Sequence, residues 1–208
     1  MSQAGEIREV KGRSRTQTIT GIGLFAALAL VLNLAHIQVP APYLGFLIYE
    51  IWEIPIVVCL FLYGLRASLV ASAINTIGLI LVNPGGLPTG PIYNLIAVTV
   101  TLVAIILGHR LSSSGLRISF EILIATGLAI IVRTAVMSIV NYVLLPFPAP
   151  LGFQIPQNLV VGFLPAIAFF NATLALYTVP LGYAGVRAIS RRLPFRLAYP
   201  LSSRSAKN

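Results

Sequence analysis

The sequence predicts an all-α integral membrane protein: a bundle of six transmembrane helices with both termini in the cytoplasm. Composition is the first reason, because 57% of the 208 residues are hydrophobic, 9% are charged, and the mean hydropathy is +0.92. A soluble domain carries about 25% charged residues, since its surface faces water. The other two reasons are six long apolar runs and a one-sided distribution of positive charge.

The six apolar runs have about the length of a bilayer span, roughly 20 residues. They cover residues 17–37, 47–64, 67–83, 91–109, 119–145 and 157–187. The first run follows a polar basic stretch and lacks a small-residue cleavage pattern, so it does not resemble a signal peptide. We therefore expect one transmembrane domain over residues 17–190, with basic cytoplasmic tails at 1–16 and 191–208.

Positive charges set the expected orientation, because cytoplasmic loops of membrane proteins are enriched in Lys and Arg. Arg133 lies within the fifth run, and the outer connections hold no Lys or Arg. The other 13 of the 14 basic residues share a side with the termini: Arg8, Lys11, Arg13, Arg15, Arg66, Arg110, Arg117, Arg187, Arg191, Arg192, Arg196, Arg204 and Lys207. The net charge of +9 therefore indicates contact with anionic lipid, not with nucleic acid.

Polar side chains inside the apolar runs are candidate ligand-binding residues, because such groups are costly in a membrane. Arg133 lies midway along the fifth run, while Glu50 and Glu53 share a helix face in the outer half of the second. An Arg133–glutamate pair is either a structural clamp or part of a ligand site. Four asparagines add donors and acceptors, either for a ligand or for interhelical bonds: Asn75, Asn94, Asn141 and Asn171. Together these residues predict a polar cavity on the outer side.

No motif in the sequence indicates catalysis, a metal or a cofactor. His36 and His109 stand at opposite membrane ends without a Cys or carboxylate cluster, and the single cysteine, Cys59, lies in an apolar run. The glycine-rich segment 83–90 lacks the Gly-Lys-Ser/Thr ending of a phosphate-binding loop. We predict that the protein is not an enzyme, since an intramembrane enzyme needs a nucleophile or a metal cluster.

Small residues mark the first helix. Gly23 and Ala27 lie four residues apart, a spacing that allows another helix to approach closely. They serve either internal packing or the docking of a separate membrane subunit.

Two segments carry a resemblance to a known family. The tripeptide 53–55, Glu-Ile-Pro, is similar to the Asp-Ile-Pro motif of that family. Segment 133–146, RTAVMSIVNYVLLP, is similar to the fifth helix of its members, which contains Met-Ser and Asn-Tyr pairs. Over residues 16–190 the chain resembles the S components of energy-coupling factor (ECF) vitamin transporters, particularly the riboflavin type. Asn171 fits a ligand-contacting Asn of that family, whereas Leu174 stands where the family has Lys.

The resemblance implies a high-affinity substrate-capture subunit in a prokaryotic plasma membrane. Such a subunit works with a coupling transmembrane subunit and two cytoplasmic ATPases, and riboflavin would be its cargo, not a cofactor. Gly23-x-x-x-Ala27 occupies the position of the family's Ala-x-x-x-Ala motif, which faces the coupling subunit in that family. Pyridoxine, a thiamine precursor or pantothenate are alternative substrates, and a self-sufficient secondary carrier is an alternative class. The expected substrate-binding residues are Leu44, Glu50, Glu53, Asn75, Asn94, Arg133, Asn141 and Asn171.

Overall fold

The computed structural model of the protein describes residues 14–35, 37–82, 88–112, 118–192 and 197–201. Within these ranges the chain forms six helices and one two-stranded sheet. In chain order they are α1 (Arg15–Leu34), β1 (Val39–Ala41), β2 (Leu44–Tyr49), α2 (Glu53–Tyr63), α3 (Leu65–Val82), α4 (Thr89–Ser112), α5 (Ile118–Leu144) and α6 (Gln157–Arg192). The glycine-rich segment and His36 lie largely or wholly outside these ranges.

Five helices, α1 and α3 to α6, are long and apolar enough to cross a membrane. Their surfaces fit that environment, because large apolar side chains such as Leu24, Leu123 and Ile131 are 64–66% exposed on the outside of the bundle. In water such a surface would aggregate, whereas lipid tails solvate it. The predicted helical membrane fold is thus confirmed, and the predicted runs match these five helices to within a few residues.

The second run differs from the prediction. Residues 47–64 were expected to form one span, but α2 begins only at Glu53 and has 11 residues. At 1.5 Å per residue it is about 16 Å long, roughly half the 30 Å of a hydrocarbon core. Leu44–Tyr49 instead pairs with β1 in an antiparallel hairpin. A short apolar run fits a strand as well as a helix, and only the pairing partner decides between them. Glu50 therefore lies outside α2.

Helix α2 occupies the centre of the bundle. It packs against α1, α3 and α6, and every residue from Pro55 to Leu62 is buried. Burial on all sides explains why its sequence is apolar on every face. Gly64, at a φ of 91°, ends α2 and lets α3 begin at Leu65. We call the end of the bundle at this α2–α3 junction the Gly64 end. The opposite end, which carries β1 and β2, is called the hairpin end.

Two glycines allow neighbouring helices to approach each other closely. A Cβ on Gly108 of α4 would lie 2.6 Å from the Cα of Ala125 on α5, and a Cβ on Gly182 of α6 would collide with Val57 of α2. Real Cβ atoms do not approach other heavy atoms so closely. These contacts therefore set the spacing of α4 against α5 and of α6 against α2.

The apolar interior has two parts. One cluster surrounds α2 and includes Ile56, Leu60, Leu102 and Ile105. The second lies at the hairpin end, with members from β1, β2, α4, α5 and α6: Ala41, Leu47, Tyr93, Ala97, Met137, Leu145, Val160, Ile167, Phe170 and Leu174. Several residues of the second cluster also line a cavity, described next.

Candidate ligand-binding site

A cavity of about 420 Å³ opens at the hairpin end. Strand β2 and helices α1, α3, α4, α5 and α6 contribute to its walls. This volume lies within the range of small-molecule sites, about 300–1,000 Å³. The polar and ionisable side chains that line it are Asn33, Gln38, Glu50, Tyr93, Asn94, Arg133, Asn141 and Asn171.

Aromatic and aliphatic side chains form the rest of the wall. The rings of Phe46 and Phe153 lie 6.3 Å apart between centroids, tilted by 30°, and Tyr93 meets Phe153 edge to face at 6.4 Å. Leu47, Ala97, Met137 and Phe170 complete this lining. A lining of aromatic and aliphatic side chains with a few placed polar groups suits a planar ring system.

The connection between α5 and α6 is tied to α4 beside the cavity. The Tyr93 hydroxyl donates to the carbonyl of Leu151 at 2.9 Å, and the Thr89 hydroxyl donates to the carbonyl of Pro150 at 2.9 Å. Because Phe153 belongs to this connection, these bonds help to position an aromatic wall of the site.

Arg133 forms the charged pole of the cavity. Its side chain is 1% exposed, and its Nη1 and Nη2 donate to the two carboxylate oxygens of Glu53 at 2.5 and 2.8 Å. Nη1 also donates to the Thr101 hydroxyl at 3.2 Å, and Nε donates to Asn171 Oδ1 at 3.1 Å. Four of the five guanidinium N–H groups are thus engaged. This network joins α5 to α2, α4 and α6 and selects Glu53, not Glu50, as the ion-pair partner.

Glu50 forms a second polar pole, next to α1. Gln38 Nε2 donates to Glu50 Oε1 at 2.7 Å, Trp52 Nε1 donates to Oε2 at 3.0 Å, and the Tyr177 hydroxyl donates to the Glu50 carbonyl at 2.6 Å. Burial raises the pKa of Glu50 to about 7, and the charge of Glu53 adds to this effect. The bonds from Trp52 and Gln38 act in the opposite direction.

Two asparagines are held by their own helices. Asn141 Nδ2 donates to the Met137 carbonyl at 2.7 Å, and Asn171 Nδ2 donates to the Ile167 carbonyl at 2.9 Å. Each amide is therefore fixed in orientation, with its oxygen opposite the helix bond. The Asn171 oxygen meets Arg133, while Asn141 lines the cavity.

Five of the eight residues expected to bind substrate line the cavity: Glu50, Asn94, Arg133, Asn141 and Asn171. The other three do not. Glu53 is turned toward Arg133, and Leu44 packs half-buried against the apolar cluster at the hairpin end. Asn75 is fully buried and accepts a hydrogen bond from Asn33 at 3.0 Å, so it reaches the cavity only through that residue.

Asn33 and Gln38 were not predicted, although both line the cavity. Asn33 interrupts an apolar helix in its last turn, which is the signal that identified the other asparagines. Gln38 lies just before β1 and carried no such signal, because a polar residue in a connection is ordinary.

Leu174, which stands at the expected lysine position, is 5% exposed within the apolar cluster at the hairpin end. It is absent from the cavity lining, where Arg133 is the one Lys or Arg among the described residues. The cationic group of this site therefore comes from α5.

Gly23 and Ala27 both face the outside of the bundle. A Cβ on Gly23 would meet nothing within 4 Å, whereas one on Gly21 would collide with Tyr63. This finding contradicts internal packing as the role of Gly23 and Ala27. Among the residues described, no group of three or more His, Cys, Asp and Glu could hold a metal ion.

A solved structure shares this architecture. It is a structure of the S component of a bacterial ECF transporter, with a TM-score of 0.68 and 23% sequence identity. The match covers 86% of this chain and 98% of that chain. This chain has the fold of an ECF transporter S component. No protein-family model matches the sequence, and no curated protein matches it.

Proposed function

We propose that the protein is the substrate-capture subunit of an ECF-type importer and that it binds riboflavin in the cavity at the hairpin end. One observation carries this proposal: in a chain with the fold of an S component, buried polar groups and aromatic walls surround a cavity of ligand size. A transport role also accords with the lack of catalytic motifs in the sequence.

The volume and lining of the site support a flavin over a smaller vitamin. Riboflavin is a planar three-ring system with an imide edge at one end and a polyhydroxylated chain attached to the central ring. The cavity lining combines polar groups, Glu50 and Arg133 among them, with the aromatic side chains of Phe46, Tyr93, Phe153 and Phe170. Asn141 offers amide donors and acceptors that suit an imide edge. Pyridoxine, a thiamine precursor and pantothenate are the alternative cargoes.

The proposed orientation places the hairpin end outside the cell and both termini inside. The Gly64 end and the helix termini beside it carry five arginines, in accord with the positive-inside rule: Arg66, Arg110, Arg187, Arg191 and Arg192. With this orientation the cavity faces the external medium, where a vitamin would be captured. The protein would be a multi-pass plasma-membrane protein with six helices in the bundle.

The energy for transport would come from partners. The proposed partners are a coupling transmembrane subunit and two cytoplasmic ATPases, and no cofactor is required for capture. Gly23 and Ala27 support a docking role for α1, because small exposed residues let a partner helix approach closely. A secondary carrier, the alternative class, would transport its substrate without these partners.

The test is to identify the small molecule that accompanies the purified protein. We expect protein prepared from riboflavin-containing medium to be yellow, with flavin absorption and a flavin released on denaturation. Isothermal titration of ligand-free protein should then give tight riboflavin binding. Recovery of a different vitamin would contradict riboflavin, and substrate uptake by vesicles that contain this chain alone would favour the secondary carrier.

A further inference from the structure

The two charged poles of the cavity are not equivalent. At one pole Arg133 is paired with both oxygens of Glu53, so the pair is neutral as a unit. At the other pole Glu50 receives neutral donors only, from Gln38 and Trp52. Among the described lining residues there is no second Lys or Arg. With Glu50 ionised, the described lining and its Glu53 partner therefore carry a net charge of −1.

Glu50 is held in place, which distinguishes it from a mobile surface carboxylate. Each of its oxygens accepts one hydrogen bond, and Tyr177 fixes its backbone carbonyl. A carboxylate has about four lone-pair sites, so two remain for donors from a ligand. Gln38 and Trp52 occupy the others and orient the group, and Glu50 itself lines the cavity.

We propose that Glu50 is the charge-selecting residue of the site: the cavity accepts neutral or cationic ligands that offer O–H or N–H donors and rejects the anionic forms of the same ligands. This inference rests on the proposed capture function and names the substrate class. Riboflavin, with its hydroxyls and imide N–H, belongs to the accepted class. Phosphorylated vitamins and pantothenate, which are anions, do not.

Neither pole can accommodate an anion without a loss. Near Glu50, a phosphate meets a like charge at a site of reduced dielectric, where repulsion is strong. Near Arg133, it must compete with Glu53 for a guanidinium that already makes four hydrogen bonds. Displacing Glu53 would leave that carboxylate buried without its partner, which is unfavourable. The discrimination therefore holds whichever way the ligand enters.

The test compares ligand pairs that differ by one phosphate, using the full chain in detergent and isothermal titration. The pairs are riboflavin and riboflavin 5′-phosphate, thiamine and thiamine monophosphate, and pyridoxamine and its 5′-phosphate. Measurements are made at about pH 8.5, above the pKa of about 7 to which burial raises Glu50, so that its carboxylate is ionised. For the pair that binds, we expect the phosphate to bind at least about 100-fold more weakly. That factor is the effect of two unit like charges roughly 6 Å apart at an effective dielectric near 20, and a phosphate monoester carries nearly two charges at this pH.

Two variants at Glu50 identify the cause. Glu50→Gln keeps the shape but removes the charge, and we expect the discrimination to fall to about tenfold or less. Glu50→Asp keeps the charge, and we expect it to retain most of the discrimination. Thermal unfolding of both variants reports whether the fold is intact.

The outcomes separate this inference from the proposed function. If riboflavin and its phosphate bind wild type equally, the flavin assignment stands and the charge rule is overturned. If pyridoxamine or thiamine binds instead, with the same phosphate penalty, the riboflavin assignment is wrong and the charge rule stands. A Glu50→Gln variant that discriminates as strongly as wild type assigns the selection to another residue.

Discussion

At Arg133 a single guanidinium contacts side chains from three other helices, and this gives the first prediction. Glu53→Leu leaves the guanidinium buried without its counter-ion, at a cost of about 3–5 kcal/mol, whereas the double variant Arg133→Met/Glu53→Leu should recover most of that loss. Thermal unfolding in detergent measures both. Equal stability of the single and double variants would contradict a mutually compensating pair.

Asn141 gives a second prediction at the same scale. Its amide is fixed by the Met137 carbonyl and lines the cavity. Asn141→Ala therefore removes from the binding site a positioned group that could form hydrogen bonds with the ligand. We expect riboflavin affinity to fall about five- to 150-fold, the equivalent of about 1–3 kcal/mol. Ser72→Ala is the matched control, because Ser72 is buried and bonded to its own helix but lies outside the lining. Unchanged affinity for the Asn141 variant would exclude it from the site.

Among the elements, the α4–α5 contact depends on Gly108. Gly108→Ala places a methyl group against the Ala125 backbone, so α4 and α5 must separate, and we expect a loss of about 1–3 kcal/mol. Gly127→Ala on α5 is the control, since a Cβ there meets nothing within 4 Å, and it should be neutral or stabilise by up to about 1 kcal/mol. Thermal unfolding compares the two. A Gly108 variant as stable as the control would show that the helices repack freely.

For the molecule as a whole, the exposed face of α1 should decide assembly with the proposed coupling subunit. Gly23→Leu adds bulk where a Cβ meets nothing in the isolated protein, so folding and riboflavin binding should survive. We expect energised uptake to fall about tenfold, equal to about 1.4 kcal/mol lost in association. Gly162→Leu adds the same bulk to an open position on α6 and serves as control. Equal uptake by both variants would place the docking surface elsewhere.

Sidedness is also a property of the whole chain. If 13 of the 14 basic residues are cytoplasmic, a cysteine at Ser2 is inaccessible from outside, and one at the exposed Asn158, in the first turn of α6, is accessible. An impermeant maleimide on intact cells should therefore label Asn158→Cys and not Ser2→Cys. The native Cys59 is fully buried and contributes little background. The reverse labelling pattern would invert the proposed orientation.

The sequence by itself determined the class of protein, five of its helices and most of the polar residues around its cavity. These features follow from composition, since a chain with few charges and long apolar runs has only lipid as a solvent for its surface. Arg133 was identified for the same reason: a charge in such a run must have a partner.

Only the tertiary structure decided which groups meet. The choice of Glu53 over Glu50 as the partner of Arg133 depends on where α2 begins, because the hairpin takes up Leu44–Tyr49. Asn75 and Leu44 were excluded from the cavity, and Gln38 was brought to it, by the rotation of helices and the pairing of strands. Such contacts join residues far apart in the chain, as in the 80-residue separation of Glu53 and Arg133. Local periodicity contains no information about that separation, since it describes one element at a time.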